Sequence, residues 1–253
     1  MDTVLIERAG PVWTVTLNRP ERRNAVDSAT ADTLRAAFED FEADSEARVA
    51  VLTGAGGTFC AGYDLAEAAT ATAYDPEAEG PMGPTRRTLS KPVIAAVEGH
   101  AVAGGLELAL WCDLRVASRT AVFGVFCRRW GVPLIDGGTV RLPRVIGQGR
   151  ALDMILTGRP VEAQEALVWG LVDRLFPAGL ALEKAQALAA DIAAFPQLCM
   201  RADRDSTLGQ WALPMDAALR REAHGGVAPL QQEGRAGAER FAMGAGRAGA
   251  FEA

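Results

Sequence analysis

The sequence predicts an α/β core followed by an all-helical C-terminal region, and three observations carry that reading. Apolar runs of strand length alternate with stretches of helical periodicity through residue 178. Val93 to Asp113, VIAAVEGHAVAGGLELALWCD, passes from a partly β-branched strand through a glycine turn into helix-forming residues. From Leu180 onward strand-like runs vanish and helix formers dominate. The expected division is therefore a core over 1–178 and a helical region over 179–253.

Taken in order, Val4–Arg8 and Val12–Leu17 flank Ala9-Gly10-Pro11 and read as a β-hairpin. Ser28 is placed to cap a helix reaching Phe41, with Leu34, Ala37, Phe38 and Phe41 on one apolar face. Arg48–Thr53 reads as a buried strand that runs into the glycine-rich loop Gly54–Leu65. Ala66–Ser90, rich in Ala, Thr, Pro and Gly, has weak periodicity and suits a mobile loop or lid. After the central stretch come a strand at Leu114–Ala117, helices near Gly149–Leu156 and Val161–Trp169, and a last strand at Leu171–Phe176. Breaks in the helical tail are expected at Pro196, Pro214 and Pro229.

Composition narrows the function. In 253 residues, 49% hydrophobic and 23% charged, there is ample material for a soluble core. A net charge of −6 argues against a nucleic-acid surface, and no apolar run reaches the roughly 18 residues of a membrane span. The opening MDTVLIERAG lacks a basic stretch followed by an apolar one, so cytoplasmic residence is expected. Cys60, Cys112, Cys127 and Cys199 show no CxxC spacing and the two histidines form no HxxxH pair, so no metal site is expected. The Gly54 loop departs from GxGxxG at Phe59, and no GxSxG or GxxxxGK[ST] occurs.

Candidate chemistry lies in the glycine turns. A helix start carries unpaired N–H groups, so Gly104 and Gly105 can offer donors to a negative oxygen, and Gly62 lets the chain present the N–H of Tyr63 in the same way. Glu107 sits among Leu106, Leu108, Leu110 and Trp111, where it either offsets the helix dipole or serves as a working carboxylate. Asp136, before Gly137-Gly138-Thr139, either caps the following helix or acts as a second carboxylate.

Several blocks together resemble the crotonase family, the enoyl-CoA hydratase/isomerase superfamily, over nearly the whole chain. They are Leu17-Asn-Arg-Pro20 with Asn24-Ala25, Phe59-Cys-Ala-Gly-Tyr-Asp-Leu65, Lys91–Gly99 with Ala103–Glu107, Gly131-Val-Pro133 with Gly137-Gly-Thr139, and Gly170-Leu-Val172. The resemblance implies a crotonase-like spiral of repeated ββα units, a homotrimer or dimer of trimers built on the helical region, and an acyl-CoA thioester as substrate. It implies no cofactor, coenzyme A being part of the substrate. It assigns the oxyanion-binding amides to Tyr63 and Gly104, proton transfer to Glu107 with Asp136 as a possible second carboxylate, and substrate contacts to Arg23, Ala25, Ala61, Asp64, Leu65 and Cys127. Family hydratases carry a second glutamate where this chain has Cys127, which weakens the expectation of efficient hydration and opens double-bond isomerisation, thioester hydrolysis or plain acyl-CoA binding.

Overall fold

The computed structural model describes residues 2–70 and 74–246. Strands β1 (Val4–Ala9) and β2 (Val12–Leu17) form the expected hairpin, its turn made at Gly10, whose φ of 58° suits glycine. β2 then pairs in parallel with β3 (Val49–Gly54), β3 with β4 (Val93–Val97), β4 with β6 (Leu114–Ser118) and β6 with β9 (Arg174–Phe176). The result is one six-stranded sheet in the order β1-β2-β3-β4-β6-β9. β4 is buried along its whole length, as an unbroken apolar run in the middle of a parallel sheet must be. A second sheet of three short strands, β5 (His100–Val102), β7 (Val122–Gly124) and β8 (Val161–Glu162), lies in the order β5-β7-β8. These strands are two or three residues long, too short to leave a periodic signal in the sequence.

The helices of the core are α1 (Ser28–Ala43), α2 (Leu65–Ala68), α3 (Gly104–Trp111), α4 (Gly138–Ile146), α5 (Gln148–Thr157), α6 (Ala163–Trp169) and α7 (Ala181–Ala194). α3 is apolar nearly all round and buried from Gly104 to Leu110. Trp13, Phe38 and Phe41 pack edge to face beneath the large sheet, and Trp111 extends the cluster through Phe38. Buried Lys91 donates to the carbonyls of Phe41 and Asp44 at 2.7 and 2.5 Å, satisfying the end of α1.

Four expectations need correction. Asp27, not Ser28, caps α1, its Oδ1 accepting from the Thr30 amide at 2.9 Å. Val161-Glu162 are strand rather than helix, held by pairing with β7. Pro229 does not break the tail, because it falls in the first turn of a helix beginning at Val227, where a missing N–H leaves no acceptor unpaired. The chain divides into compact units Met1–Ala190 and Asp191–Ala253 rather than at 178, since Ala181, Ala185, Leu188 and Ala189 of α7 are buried. The second unit contains α8 (Gln197–Gly209), α9 (Met215–Gly225), α10 (Val227–Pro229) and α11 (Arg235–Ala242), with a π-helical turn, Leu230–Gly234, joining the last two. No helix among the described residues is long and apolar enough to cross a membrane.

Candidate active site

Two glycine turns from distant parts of the chain meet at one end of the strands. Cys60 bridges Ala101 in parallel, and its amide donates to the His100 carbonyl at 2.9 Å, which lays residues 60–63 beside the entry to α3. Gly62 has φ of 101°, and a Cβ built there would stand 2.9 Å from the Gly104 nitrogen. Only glycine keeps that amide open. Ala103 completes the turn at φ 53°, a conformation costing about 1–3 kcal/mol outside glycine, with its N–H fixed to the Gly124 carbonyl at 2.8 Å. Among the described residues the amides of Tyr63 and Gly104 donate to no backbone acceptor, and both residues line one cavity of about 640 Å³.

The first loop braces this pair. Arg19 donates to the Ala25 carbonyl at 2.5 Å and pairs with Asp27 at 2.8 Å and Asp64 at 3.2 Å. Buried Asn24 donates to the carbonyls of Ala55 and Thr58 at 2.8 and 2.6 Å. Asp64 also accepts from the Ala66 amide at 3.1 Å as the cap of α2, so its carboxylate is occupied by the protein.

Glu107 is 2% exposed and lines the same cavity. Although it lies in the first turn of α3, its Oε1 reaches across to the start of α4 and accepts from the amides of Asp136 and Gly138, each at 2.8 Å. One oxygen is thus fixed, while Oε2 has no partner among the described residues. Burial pushes its carboxyl up to about 7, the nearby Asp136 charge adds to this, and the two amides and Arg141 oppose it. A carboxyl poised there can both take and give a proton near neutral pH.

Asp136, also 2% exposed, does not cap α4; Gly137 holds that position without a side-chain cap. Its Oδ1 instead accepts from the Met82 amide at 3.1 Å and from the Thr85 hydroxyl. Burial raises its pKa from the ordinary aspartate value, against the opposing pull of Thr85, Met82, Arg86 and Arg141. Cys127 lies in the 3₁₀ turn Phe126–Trp130 on the cavity wall, its thiol pushed up by burial first and by the Glu107 charge second.

Of the residues singled out in the sequence, Ala61, Tyr63, Leu65, Gly104, Glu107, Cys127 and Asp136 line the cavity, whereas Arg23, Ala25 and Asp64 lie outside its wall. Arg23 is exposed, with φ of 52°. The sequence reading missed Arg141, which donates to the carbonyls of Asp136 at 3.0 Å and Thr85 at 2.6 Å, and Met82, whose sulfur would stand 2.5 Å from a Cβ at Gly104. It also missed Arg86, which donates to the Tyr74 hydroxyl and to the carbonyls of Pro76, Ala78 and Ile135. That residue clasps the stretch anticipated as a lid, of which residues 71–73 lie outside the described part. Among the described residues no group of three His, Cys, Asp or Glu side chains is arranged to hold a metal ion.

A sequence profile for enoyl-CoA hydratase/isomerase matches residues 7–242. The chain belongs to the enoyl-CoA hydratase/isomerase family. Within it, the enoyl-CoA hydratase EchA19 of Mycobacterium tuberculosis is 38% identical over 246 residues, covering 94% of this chain and 92% of that one. The carnitinyl-CoA dehydratase of Salmonella typhi is 36% identical over 224 residues, covering 87% and 85%. The crystal structure of an enoyl-CoA hydratase from M. tuberculosis H37Rv superposes with a TM-score of 0.90 at 37% identity, over 95% of this chain and 96% of the other. The EchA1 structure from Mycobacterium marinum gives 0.89 at 36% identity, over 95% and 96%. The fold of this family member is therefore the crotonase fold, in its α/β form with a helical C-terminal region.

Proposed function

We propose that this member of the enoyl-CoA hydratase/isomerase family is a hydratase-like lyase that holds the thioester oxygen of an acyl-CoA between the amides of Tyr63 and Gly104 and moves a proton at the substrate with Glu107. The observation that carries the reading is the geometry of Glu107: one oxygen anchored by two amides, the other unpaired, in a cavity also lined by Tyr63 and Gly104, whose amides donate to no backbone acceptor among the described residues. Donors aimed at a developing enolate oxygen contribute on the order of 10²–10³ each, and a placed acid/base on the order of 10²–10⁴. In hydration, the oxygen of a water bonds to Cβ as Glu107 takes one of its protons, and a proton is returned to Cα, so that one water is added in all; dehydration reverses both. No metal or organic cofactor takes part in this scheme, because two amides polarise the thioester and one carboxyl handles the proton.

Cys127 favours a second reading, double-bond migration. There one proton leaves one carbon and returns two carbons away, so a single carboxyl suffices, whereas hydration gains from a second carboxylate to position water. We further propose that exposed Arg23 contacts the coenzyme A phosphates, that the enzyme works as a homotrimer or dimer of trimers, and that it serves cytoplasmic acyl-CoA metabolism. Arg23→Ala is expected to weaken CoA binding at low salt, where charge counts most; unchanged affinity would remove that contact.

The decisive experiment works for any acyl group. Saturated and unsaturated acyl-CoA thioesters are incubated in D₂O and read by mass spectrometry for deuterium at Cα and for gain or loss of water. Deuterium uptake is expected in the native protein and a loss of at least about 10² in Glu107→Gln. Uptake undiminished in Glu107→Gln would move the chemistry to another group.

A further inference from the structure

Asp136 is bound through three of its groups, and they point in different directions. Its amide donates to Glu107 Oε1 at 2.8 Å. Its carboxylate Oδ1 accepts from the Met82 amide at 3.1 Å and from the Thr85 hydroxyl. Its carbonyl accepts from Arg141 at 3.0 Å, and the same guanidinium holds the Thr85 carbonyl at 2.6 Å. The amide faces the carboxyl assigned to proton transfer and the side chain faces the segment Gly80–Arg86, which the carbonyl reaches only through Arg141.

That segment is packed hard on both sides. A Cβ at Gly80 would collide with Asp136 Oδ1 and Thr85 Oγ1, so the chain there lies directly against the carboxylate. Met82, fully buried, lies against Gly104, where a Cβ would meet its sulfur at 2.5 Å. The segment therefore touches the oxyanion turn through Met82 and the acid/base through Asp136.

We propose that Asp136 is a positioning residue, a latch that makes the orientation of Glu107 depend on the seating of Gly80–Arg86, and not a second acid/base. The proposal rests on the reading of Glu107 given above. Its physical basis is that the Oδ1 acceptor is all the latch needs. An amide oxygen can accept the same two hydrogen bonds that the carboxylate oxygen accepts, so Asp136→Asn keeps the latch while deleting any proton-transfer capacity. Asp136→Ala and Thr85→Val do the opposite to the latch: the first removes the acceptor, the second removes one donor and leaves the carboxyl in place.

The three variants are compared by deuterium exchange at Cα of an acyl-CoA and, separately, by amide hydrogen exchange over residues 80–86 of the free protein. Asp136→Asn is expected to stay within about threefold of native turnover with 80–86 still protected, while Asp136→Ala and Thr85→Val lose about tenfold or more in kcat at little changed KM, as misplacement of a catalytic group does. Both are expected to deprotect 80–86. Turnover in Asp136→Asn falling as far as in Asp136→Ala overturns the proposal, since the ionisable group itself would then be required. Native turnover in Thr85→Val, or unaltered protection in it, overturns it as well. If Asp136→Ala fails to fold, Thr85→Val with Asp136→Asn still decides. The hydrogen-exchange arm reads the latch with no substrate present, so a protein inactive on every thioester would refute the role of Glu107 without disguising the result for Asp136.

Discussion

At Glu107 the same burial that suits a proton-transfer group also opposes folding when the group is charged. Its carboxyl sits near 7 in the folded protein against an ordinary 4.5, so the folded state binds the proton more tightly. The stability this gives is fully present below about 4.5 and is lost as pH rises through about 7, to the extent of roughly 3 kcal/mol. We expect Glu107→Gln to melt higher than the native protein at pH 8 and to lose most of that advantage at pH 5, a comparison that calorimetry makes directly. Proton exchange at the substrate should run the other way, rising between pH 6 and 8 with an inflection near 7 as the basic form appears. At Cys127 the raised thiol is a poor partner for water. We expect weak crotonyl-CoA hydration, increased about tenfold or more by Cys127→Glu, since a placed carboxyl is worth on the order of 10²–10⁴; a proficient native rate would count against this. Tyr63, Gly104 and Glu107 were legible in the sequence because turn glycines and a charge among leucines break local pattern. Thr85, Met82 and Arg141 were not, because each is an ordinary residue made important only by a neighbour about 50 positions away.

At the scale of elements, the strand, turn and helix of Val93–Trp111 were readable since apolar period and glycine placement agree there. The short strands of the second sheet were not, because two or three residues held by pairing carry no period of their own. The turn at Gly62 makes a sharper demand than its sequence suggests. Gly62→Ala would place a methyl 2.9 Å from the Gly104 nitrogen in a backbone region closed to alanine. We expect a loss of about 10² or more in turnover with binding of free CoA largely kept, together with about 1–3 kcal/mol of stability. Equal loss of CoA binding would mean the whole turn had moved. Arg86 makes a second demand, for its guanidinium joins Tyr74, Pro76 and Ala78 to Ile135. Arg86→Ala should speed proteolytic cleavage between residues 74 and 80 while leaving the melting of the core nearly unchanged.

Across the whole molecule the two compact units differ in kind. The first has a continuous core from Val4 to Val172, whereas in α8, α9, α10 and α11 Pro229 alone is buried among the described residues. Leu198, Leu208, Leu219, Leu230 and Phe241 stay exposed there. Helices this short draw most of their stability from burial of an apolar face, and this unit buries little by itself. In the proposed assembly, further copies of the chain supply the missing contact. We expect sedimentation to give a trimer or hexamer and a chain ending at Ala190 to sediment as a monomer; a native monomer at micromolar concentration would reject the assembly. The sequence could announce a helical tail but not where the core ended, because α7 runs through Ala190 with no glycine or proline to mark the division.

The missing side chain at Gly62 also sets what this protein can become. A Cβ at position 62 would meet the Gly104 nitrogen at 2.9 Å and the Ala103 Cβ at 3.0 Å, and a Cβ at Gly104 would meet the Met82 sulfur at 2.5 Å, so neither turn glycine is expected to accept a side chain. Ala68, Val132 and Ile135 also line the cavity, and none of them holds a positive φ that would demand glycine. Evolution from this sequence is therefore partitioned: acyl preference can drift in single steps while the thioester grip cannot. A saturation library screened for turnover should divide accordingly, with residue 62 returning glycine and the wall positions returning many solutions, each for a different acyl group.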